Sequence, residues 1–257
     1  MIHLPRSART AFPLVVAASV YGCAIGQTHR YTYEAPATSP SAKGTVVLFA
    51  VRDERADVIS GQEPPTWVGE QRDGWGIPHS VLTSDGRPFA AIVQEAVQRD
   101  LEGTGLTVVV APEVPGTAAG IGEVLRSRGA ARALAVSLHD FNVNTYSNMD
   151  VEWDFAARVF DGAGNVVASD RSNGKETLES AVRGSIRAAK MQTPPFFYRL
   201  IHELVIGNPR IWPALAGAAA SAAGEPGSRC TVEQILKMKE AGLSDEQVRA
   251  ACGTSGS

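Results

Sequence analysis

The densest run of charged side chains in this chain, RDERAD from Arg52 to Asp57, directly follows an apolar segment. Carboxylates and guanidinium groups at this spacing can position a ligand, but more often they pair with one another at the end of a sheet. We therefore expect a structural charge network centred on Asp53 and Arg55. The alternative is that Asp53, Arg55 and His79 form a site that binds a small ligand or hydrolyses cell-wall material.

The segment TWVGEQRDGWGIPHS, from Thr66 to Ser80, contains three glycines and two tryptophans. A phosphate-binding loop would need Lys and then Ser or Thr after its glycines, whereas Ile, Pro and His follow here. We therefore expect a shaped, exposed loop whose tryptophans are apolar anchors for a partner. The predicted partner-binding residues are Trp67, Gly69, Arg72, Gly74, Trp75, Gly76 and Pro78. The alternative is that both tryptophans pack over the edge of the sheet.

Other patterns that carry chemistry are incomplete. His202 and Glu203 begin the helical zinc-protease motif, but Ile206 stands where its second histidine should be. No G-x-S-x-G nucleophile motif occurs, and a net charge of −3 offers no basic surface for nucleic acid. The sequence therefore predicts a non-catalytic protein with no metal, no cofactor and no nucleic-acid partner.

The first residues have the pattern of an export signal. Arg6 and Arg9 precede an apolar run over residues 11–20, which is too short to span a bilayer stably. The run ends in VYGC, which resembles the lipobox of bacterial lipoproteins, where the chain is cut before a cysteine that is acylated, for instance with palmitate. This resemblance implies a signal peptide at 1–22 and a lipid anchor on Cys23. The alternative is an uncleaved anchor or ordinary secretion.

Behind the anchor, composition and periodicity divide the chain. Residues 23–43 are polar and rich in Ala, Ser, Thr and Pro, as in a flexible tether. Residues 44–213 are predicted as strand, helix, strand, helix, three strands and helix, with a long loop at 54–86 and a helix break at the prolines 194–195. This order predicts an α/β (α+β) domain, a two-layer sandwich of helices on a mixed β-sheet. A small-residue linker follows at 214–229.

Two local patterns are especially clear. After Pro88, apolar residues recur at helical spacing and predict one buried helix face, made of Phe89, Ile92, Val93, Ala96 and Val97. Farther on, DGAGN at 161–165 predicts a tight turn between two strands. The sheet should therefore include an antiparallel meander next to its helix-connected strands.

Residues 230–253 form a separate small module. Two capping-box patterns, TVEQ and SDEQ, predict two helix starts and hence a helical hairpin. Cys230 and Cys252 bracket this hairpin, and an exported chain lies where disulfides persist, so we expect the two cysteines to be bonded. A free, nucleophilic Cys252 is the alternative.

VRDERAD after the first strand and the VGEQRDGWGIPHS that follows it resemble the YajG-like family of bacterial lipoproteins. Members of that family have a D-x-R element, then a glycine-rich G-x-x-R-N-G-x-G-x-P segment, a helix and a strand. The matching positions are Asp53, Arg55, Gly69, Arg72, Gly74, Gly76 and Pro78. One departure is Asp73, where Asn is frequent. The resemblance covers residues 45–206 and implies a periplasmic protein anchored in the outer membrane, with no established enzymatic activity.

Together these features predict a non-catalytic lipoprotein of the outer membrane that faces the periplasm and acts as an envelope binding or structural module. Ala24 follows the cysteine, where Asp would favour retention in enteric-type sorting, and so favours the outer membrane. The expected contacts are the membrane, through the N-terminal lipid, and an envelope protein. That protein is expected to bind the Trp67–Pro78 loop and the terminal hairpin.

Overall fold

The computed structural model describes residues 27–31, 40–73, 75–146, 148–178 and 186–222. Its strands are β1 (Gln27–His29), β2 (Thr45–Phe49), β3 (Arg52–Asp53), β4 (Trp67–Arg72), β5 (Pro78–Thr83), β6 (Thr107–Ala111), β7 (Arg132–Thr145), β8 (Met149–Phe160) and β9 (Val166–Leu178). Its helices are α1 (Ala56–Ile59), α2 (Phe89–Gly103), α3 (Ala118–Ser127), α4 (Ile186–Val205) and α5 (Ile211–Ala222).

Several sequence predictions fall outside the described residues. They concern the signal peptide at 1–22, the acylated Cys23, the loop residue Gly74, and the terminal hairpin with its Cys230–Cys252 disulfide. All of these stay predictions.

The strands of the described ranges join one mixed sheet that is organised around β7. One edge of β7 pairs in parallel with β2, then β3, then β4, while its other edge pairs antiparallel with β8. Beyond these neighbours, β6 lies next to β2, β5 and β1 lie next to β4, and β9 lies next to β8. Because β7 has 14 residues, different strands can pair with it at its two ends.

Helices cover both faces of this sheet. Val46 and Leu48 of β2 point into the larger core, which α2, α4 and α5 close. Val47 and Phe49 point to the opposite face, where α3 covers them. This alternation is the period of two expected along a strand. The α+β class predicted from the sequence is confirmed, and α3 adds a layer on the second face.

The two clearest local patterns produced the predicted elements. The five apolar residues expected on one face of α2 are all buried. Asp161 closes the turn between β8 and β9, because its carboxylate accepts hydrogen bonds from the backbone N–H groups of Ala163 and Asn165, both at 2.9 Å. Local sequence was sufficient at both places because helical spacing and turn chemistry depend on neighbouring residues.

Parts of two segments expected to be flexible are packed onto the domain. Within the predicted tether 23–43, Gln27–His29 forms β1 beside β5, and Tyr31 is buried among aromatic rings. Within the predicted linker 214–229, α5 continues the fold and Leu215 is fully buried. Composition suggested flexible chain at both places, but burial of a few apolar side chains outweighs it.

Two further predictions are wrong because tertiary packing overrides local signals. The expected long loop at 54–86 contains β4, β5 and the short α1. The expected helix break is also absent, since α4 runs from Ile186 to Val205 through both prolines. The prolines remove two backbone donors, but Phe197 and Leu200 beyond them are buried in the core and hold α4 against the sheet.

Candidate functional site, an exposed hairpin tip

The glycine-rich segment folds into the antiparallel hairpin β4–β5. Arg72 pairs with Pro78, so Asp73 and residues 75–77 project beyond the paired strands, and we call them the hairpin tip. The predicted Trp67–Pro78 loop is therefore mostly strand, and only its second half is a loop.

Asp73 organises the hairpin tip. Its Oδ1 accepts hydrogen bonds from the backbone N–H groups of Trp75, at 2.9 Å, and Ile77, at 3.0 Å. Its Oδ2 lies 3.1 Å from Nε2 of His79 on β5. The hydrogen bond with His79, more than the two backbone bonds, holds the pKa of Asp73 below its ordinary value. Gly76 supplies the φ of 81° that the turn requires.

The ordered turn displays apolar side chains to solvent. Trp75 is 91% exposed and Ile77 is 55% exposed. Tyr146, at the β7–β8 turn, is also 55% exposed, and its hydroxyl would lie 3.9 Å from a β-carbon added to Gly76. The two turns are neighbours because β4 pairs with the end of β7. We call Trp75, Ile77 and Tyr146 the tip patch.

A second cluster lies at the other end of β4, and we call Asp53, Arg55 and the groups that contact them the arginine node. Arg55 is only 1% exposed. Its Nε and Nη2 donate to the two carboxylate oxygens of Asp53, at 2.8 and 2.7 Å. Its Nη1 donates to the carbonyl of Trp67 and its Nη2 also to that of Pro65. The guanidinium lies 5.8 Å from the ring centroid of Trp67 and 5.5 Å from that of Phe89.

Trp67 and Gly69 are structural residues of β4. Trp67 is 3% exposed because its indole packs against the buried Arg55. Gly69 lies so close to β7 that an added β-carbon would be 2.3 Å from the carbonyl oxygen of Val143. A β-bulge between Trp67 and Gly69 accompanies this close approach. The prediction that these two residues are exposed for a partner is therefore wrong.

The remaining predicted residues divide between the two clusters. Arg72 and Pro78 flank the hairpin tip, and Nη1 of Arg72 donates to a backbone carbonyl of the tip at 3.3 Å. His79, on β5, is joined to the tip through Asp73. The other two residues of the alternative ligand site, Asp53 and Arg55, bind each other in the arginine node. The structure therefore places the three residues of that alternative in two separate hydrogen-bond networks.

Sequence reasoning missed Asp73 of the hairpin tip and Tyr146 of the tip patch. Asp73 stands out in the sequence only as a departure from the YajG-like pattern, although Asp before Gly is a recognised turn signal. Tyr146 has no such signal, because it belongs to another hairpin and only the pairing of β4 with β7 brings it to the tip.

Two negative findings hold for the described ranges. No group of three or more His, Cys, Asp and Glu side chains there is arranged to hold a metal ion. His202 of the incomplete zinc motif instead pairs with Asp100, with Nδ1 and Oδ1 3.1 Å apart. Among the described helices, none is long and apolar enough to cross a membrane.

Comparisons with known proteins leave the family open. No protein-family model matches the chain, and no curated protein matches it. Among solved structures, a Xanthomonas campestris protein of the DUF330 family is 14% identical with a TM-score of 0.49, over 76% of this chain and 99% of that one. A PelC dodecamer from Paraburkholderia phytofirmans is 16% identical with a TM-score of 0.37, over 72% of this chain and 95% of that one.

A third structure is the lipoprotein GNA1162 from Neisseria meningitidis, 12% identical with a TM-score of 0.26, over 61% of this chain and 99% of that one. At TM-scores this low, the three likenesses indicate no function. The YajG-like resemblance is not confirmed by any family model and stays a prediction.

Proposed function

We propose that this chain is a lipid-anchored protein of the cell envelope, held at the outer membrane and facing the periplasm, and that it acts by binding and not by catalysis. The charged and apolar N-terminal pattern and the cysteine of VYGC support the anchor, and Ala24 supports the outer membrane. The hairpin tip supports a binding role.

The ordered display of Trp75 carries this proposal. Covering a tryptophan that is 91% exposed with an apolar surface contributes roughly 4–6 kcal/mol before the costs of association. Asp73 and His79 already hold the turn, so little order has to be gained when a partner covers the side chain. Aromatic side chains on rigid supports are typical binding hot spots.

The tip patch binds another component of the envelope. The predicted terminal hairpin at 230–253 supplies a second surface for an envelope protein. Binding at the tip does not require catalysis, and the other charged network, the arginine node, is buried.

A photo-crosslinking amino acid at position 75 tests binding in living cells. We expect an adduct with an envelope component from position 75 and none from position 167. Val167, on β9, is a matched apolar control that is 46% exposed. Equal adducts from both positions would contradict a specific role for the tip.

The intact mass of detergent-extracted protein tests the anchor. We expect a chain that begins at Cys23 and carries acyl groups. If Cys230 and Cys252 are bonded, their sulfurs become alkylated only after reduction. An unprocessed mass would contradict the lipid-anchored assignment.

The geometry supports the alternative, a small-ligand or hydrolytic site, less well. Each nitrogen of the Arg55 guanidinium already donates within the protein, and His79 is bound to Asp73. A screen of envelope glycans and lipids tests this alternative. Turnover that is lost in His79→Ala but retained in Trp75→Ala would favour it over a binding role.

A further inference from the structure

The register of β1 limits where an anchor at Cys23 can lie relative to the tip patch. β1 pairs in parallel with β5, with Gln27 beside Val81 and His29 beside Thr83. β5 starts next to the hairpin tip and runs away from it, so β1 also runs away from the tip. The amino end of β1 therefore faces the end of the sheet that carries the tip patch.

The length of chain before β1 limits where the anchor can be. Cys23 precedes Gln27 by four residues, and four residues span at most about 14 Å. Along β5, Ile77 precedes Val81 by four residues, which is about 13 Å at strand spacing. An acylated Cys23 can therefore lie level with the tip patch.

The opposite end of the sheet is out of the anchor's reach. Gln27 is level with Val143 of β7, across β5 and β4. Ala133 lies ten residues earlier in β7, about 33 Å away at strand spacing. Val167 lies near this far end, because β9 pairs through β8 with the start of β7. The anchor can therefore hold the tip side of the domain at the membrane, but it cannot attach at the far end.

β1 is attached firmly enough to transmit this constraint. His29 and Tyr31 are 2% and 8% exposed. The ring of Tyr31 lies 5.3 Å from that of Phe89 and 5.2 Å from that of Phe197. The backbone N–H of Ser84 donates to the carbonyl of His29 at 2.9 Å. The domain therefore cannot swing away on a long free tether that begins at the anchor.

We infer that the tip patch inserts into the headgroup region of the membrane that holds the Cys23 anchor. This inference rests on the proposed function and names lipid as the envelope component that the tip binds. Trp and Tyr concentrate at membrane–water interfaces, because their rings are apolar and carry a polar N–H or O–H. Trp75 and Tyr146 bring these two residue types to the end of the sheet where the anchor attaches, and Ile77 adds aliphatic surface.

The tip and the anchor then have different tasks. Two or more acyl chains suffice to retain a protein on a membrane, so the tip is not needed for retention. It supplies a second contact that fixes the orientation of the domain. The far end of the sheet, near Val167, then projects about 40 Å from the membrane, as the length of β7 at strand spacing requires.

Fluorescence quenching by brominated lipids tests the inference. The acylated full-length protein, extracted from membranes, is reconstituted into vesicles of phosphatidylethanolamine and phosphatidylglycerol with or without brominated acyl chains. We expect bromine to quench the tryptophan emission and the Trp75→Ala variant to lose most of this quenching. As a matched control, the double variant Trp75→Ala, Val167→Trp moves the exposed indole to the far end of the sheet. This variant should not regain the quenching by bromine.

Equal quenching of the parent and Trp75→Ala would overturn the inference, as would strong quenching of the indole at position 167. The intact mass of the same samples separates this failure from failure of the proposed function. An acylated protein whose Trp75 is not quenched contradicts the lipid contact alone. In that case, a protein captured by the probe at position 75 would identify the tip as a protein-binding surface. A protein without acyl groups contradicts both proposals.

Discussion

Two tryptophans of one hairpin, eight residues apart, lie in opposite environments. Trp67 begins β4 and is 3% exposed over a buried guanidinium, whereas Trp75 is 91% exposed at the hairpin tip. Both belong to the same glycine-rich segment. One continuous motif therefore supplies a part of the core and a surface that is available for binding.

The two regions also use carboxylates differently. In the arginine node, Asp53 neutralises a guanidinium whose burial without a partner would cost several kcal/mol. At the tip, Asp73 is in contact with solvent and shapes a turn through His79 and two backbone N–H groups. We therefore expect stability to depend on the node and binding to depend on the tip.

Replacing each tryptophan by alanine tests this division most strongly. Trp67→Ala should lower the free energy of unfolding by about 4 kcal/mol, because it removes a buried ring and leaves a cavity. Trp75→Ala should change it by less than about 0.5 kcal/mol, because the side chain contacts little of the protein. Urea denaturation of both variants measures the difference. Similar losses of unfolding free energy in the two variants would contradict the division between core and surface.

Removing the guanidinium of the node should have a slightly smaller effect. Arg55→Met should lower the free energy of unfolding by about 3–4 kcal/mol, because the Asp53 carboxylate is left without its partner. Arg52→Met is the matched control, since the side chain of Arg52 is 59% exposed and pairs with Glu54 at the surface. Its effect should stay below about 0.5 kcal/mol. Equal midpoints of urea unfolding for the two variants would contradict the structural role of the node.

Gly69 tests the close approach of β4 and β7 between the two regions. Gly69→Ala places a β-carbon 2.3 Å from the carbonyl oxygen of Val143, so the strands must separate. We expect a loss of about 3 kcal/mol. Gly103→Ala, where nothing lies within 4 Å of the added carbon, should be neutral or stabilise by about 0.5 kcal/mol. Thermal unfolding followed by circular dichroism distinguishes them, and a harmless Gly69→Ala would mean that the strands are farther apart.

His29 should make the strand between anchor and core sensitive to acid. Burial, with a smaller effect of the Lys190 charge, lowers the pKa of His29 from 6.5 to about 4. The unfolded chain therefore takes up the proton first, so the contribution of His29 to stability is complete above the unfolded pKa and is lost as the pH falls toward the folded one. Between about pH 7 and about pH 5, this residue alone should cost about 2 kcal/mol. Urea titrations of His29→Gln should lack that loss, and an unchanged pH dependence would contradict it.

The smallest expected effect is confined to the hairpin tip. The pKa of Asp73 is lowered chiefly by its hydrogen bond with His79. The turn should therefore persist at pH values below about 3.9, the ordinary pKa of Asp. It should open only as the pH falls through the lowered pKa of Asp73. Backbone amide resonances of Trp75 and Ile77 should report this opening in an NMR titration. Asp73→Asn, which keeps an acceptor oxygen but no charge, should show no such titration. If the amide resonances of this variant titrate in the same way, the effect comes from another group.

The contrast between α2 and α4 shows how much of the fold could be predicted. The apolar face of α2 was predicted residue by residue, because helical spacing alone determines which side chains share a face. The break expected at 194–195 was wrong, because burial of Phe197 and its neighbours compensates for the lost hydrogen bonds. At the candidate site, the pairing of Asp53 with Arg55 follows from spacing, whereas burial of the pair depends on rings from β4 and α2.

The sequence by itself determined the apolar face of α2 and the turn at 161–165, because helical spacing and turn chemistry act between neighbouring residues. It did not show the β4–β5 hairpin, which was expected to be a loop. Only the tertiary structure decided that Trp67 is core and that Tyr146 lies beside the turn that carries Trp75. It also decided that β1 pairs with the second half of β5, with its amino end toward the tip. Each of these outcomes depends on how strands far apart in sequence pair with one another and in which register. That choice is made by the packing of the whole sheet and its helices, since local preferences are the same for many alternative pairings.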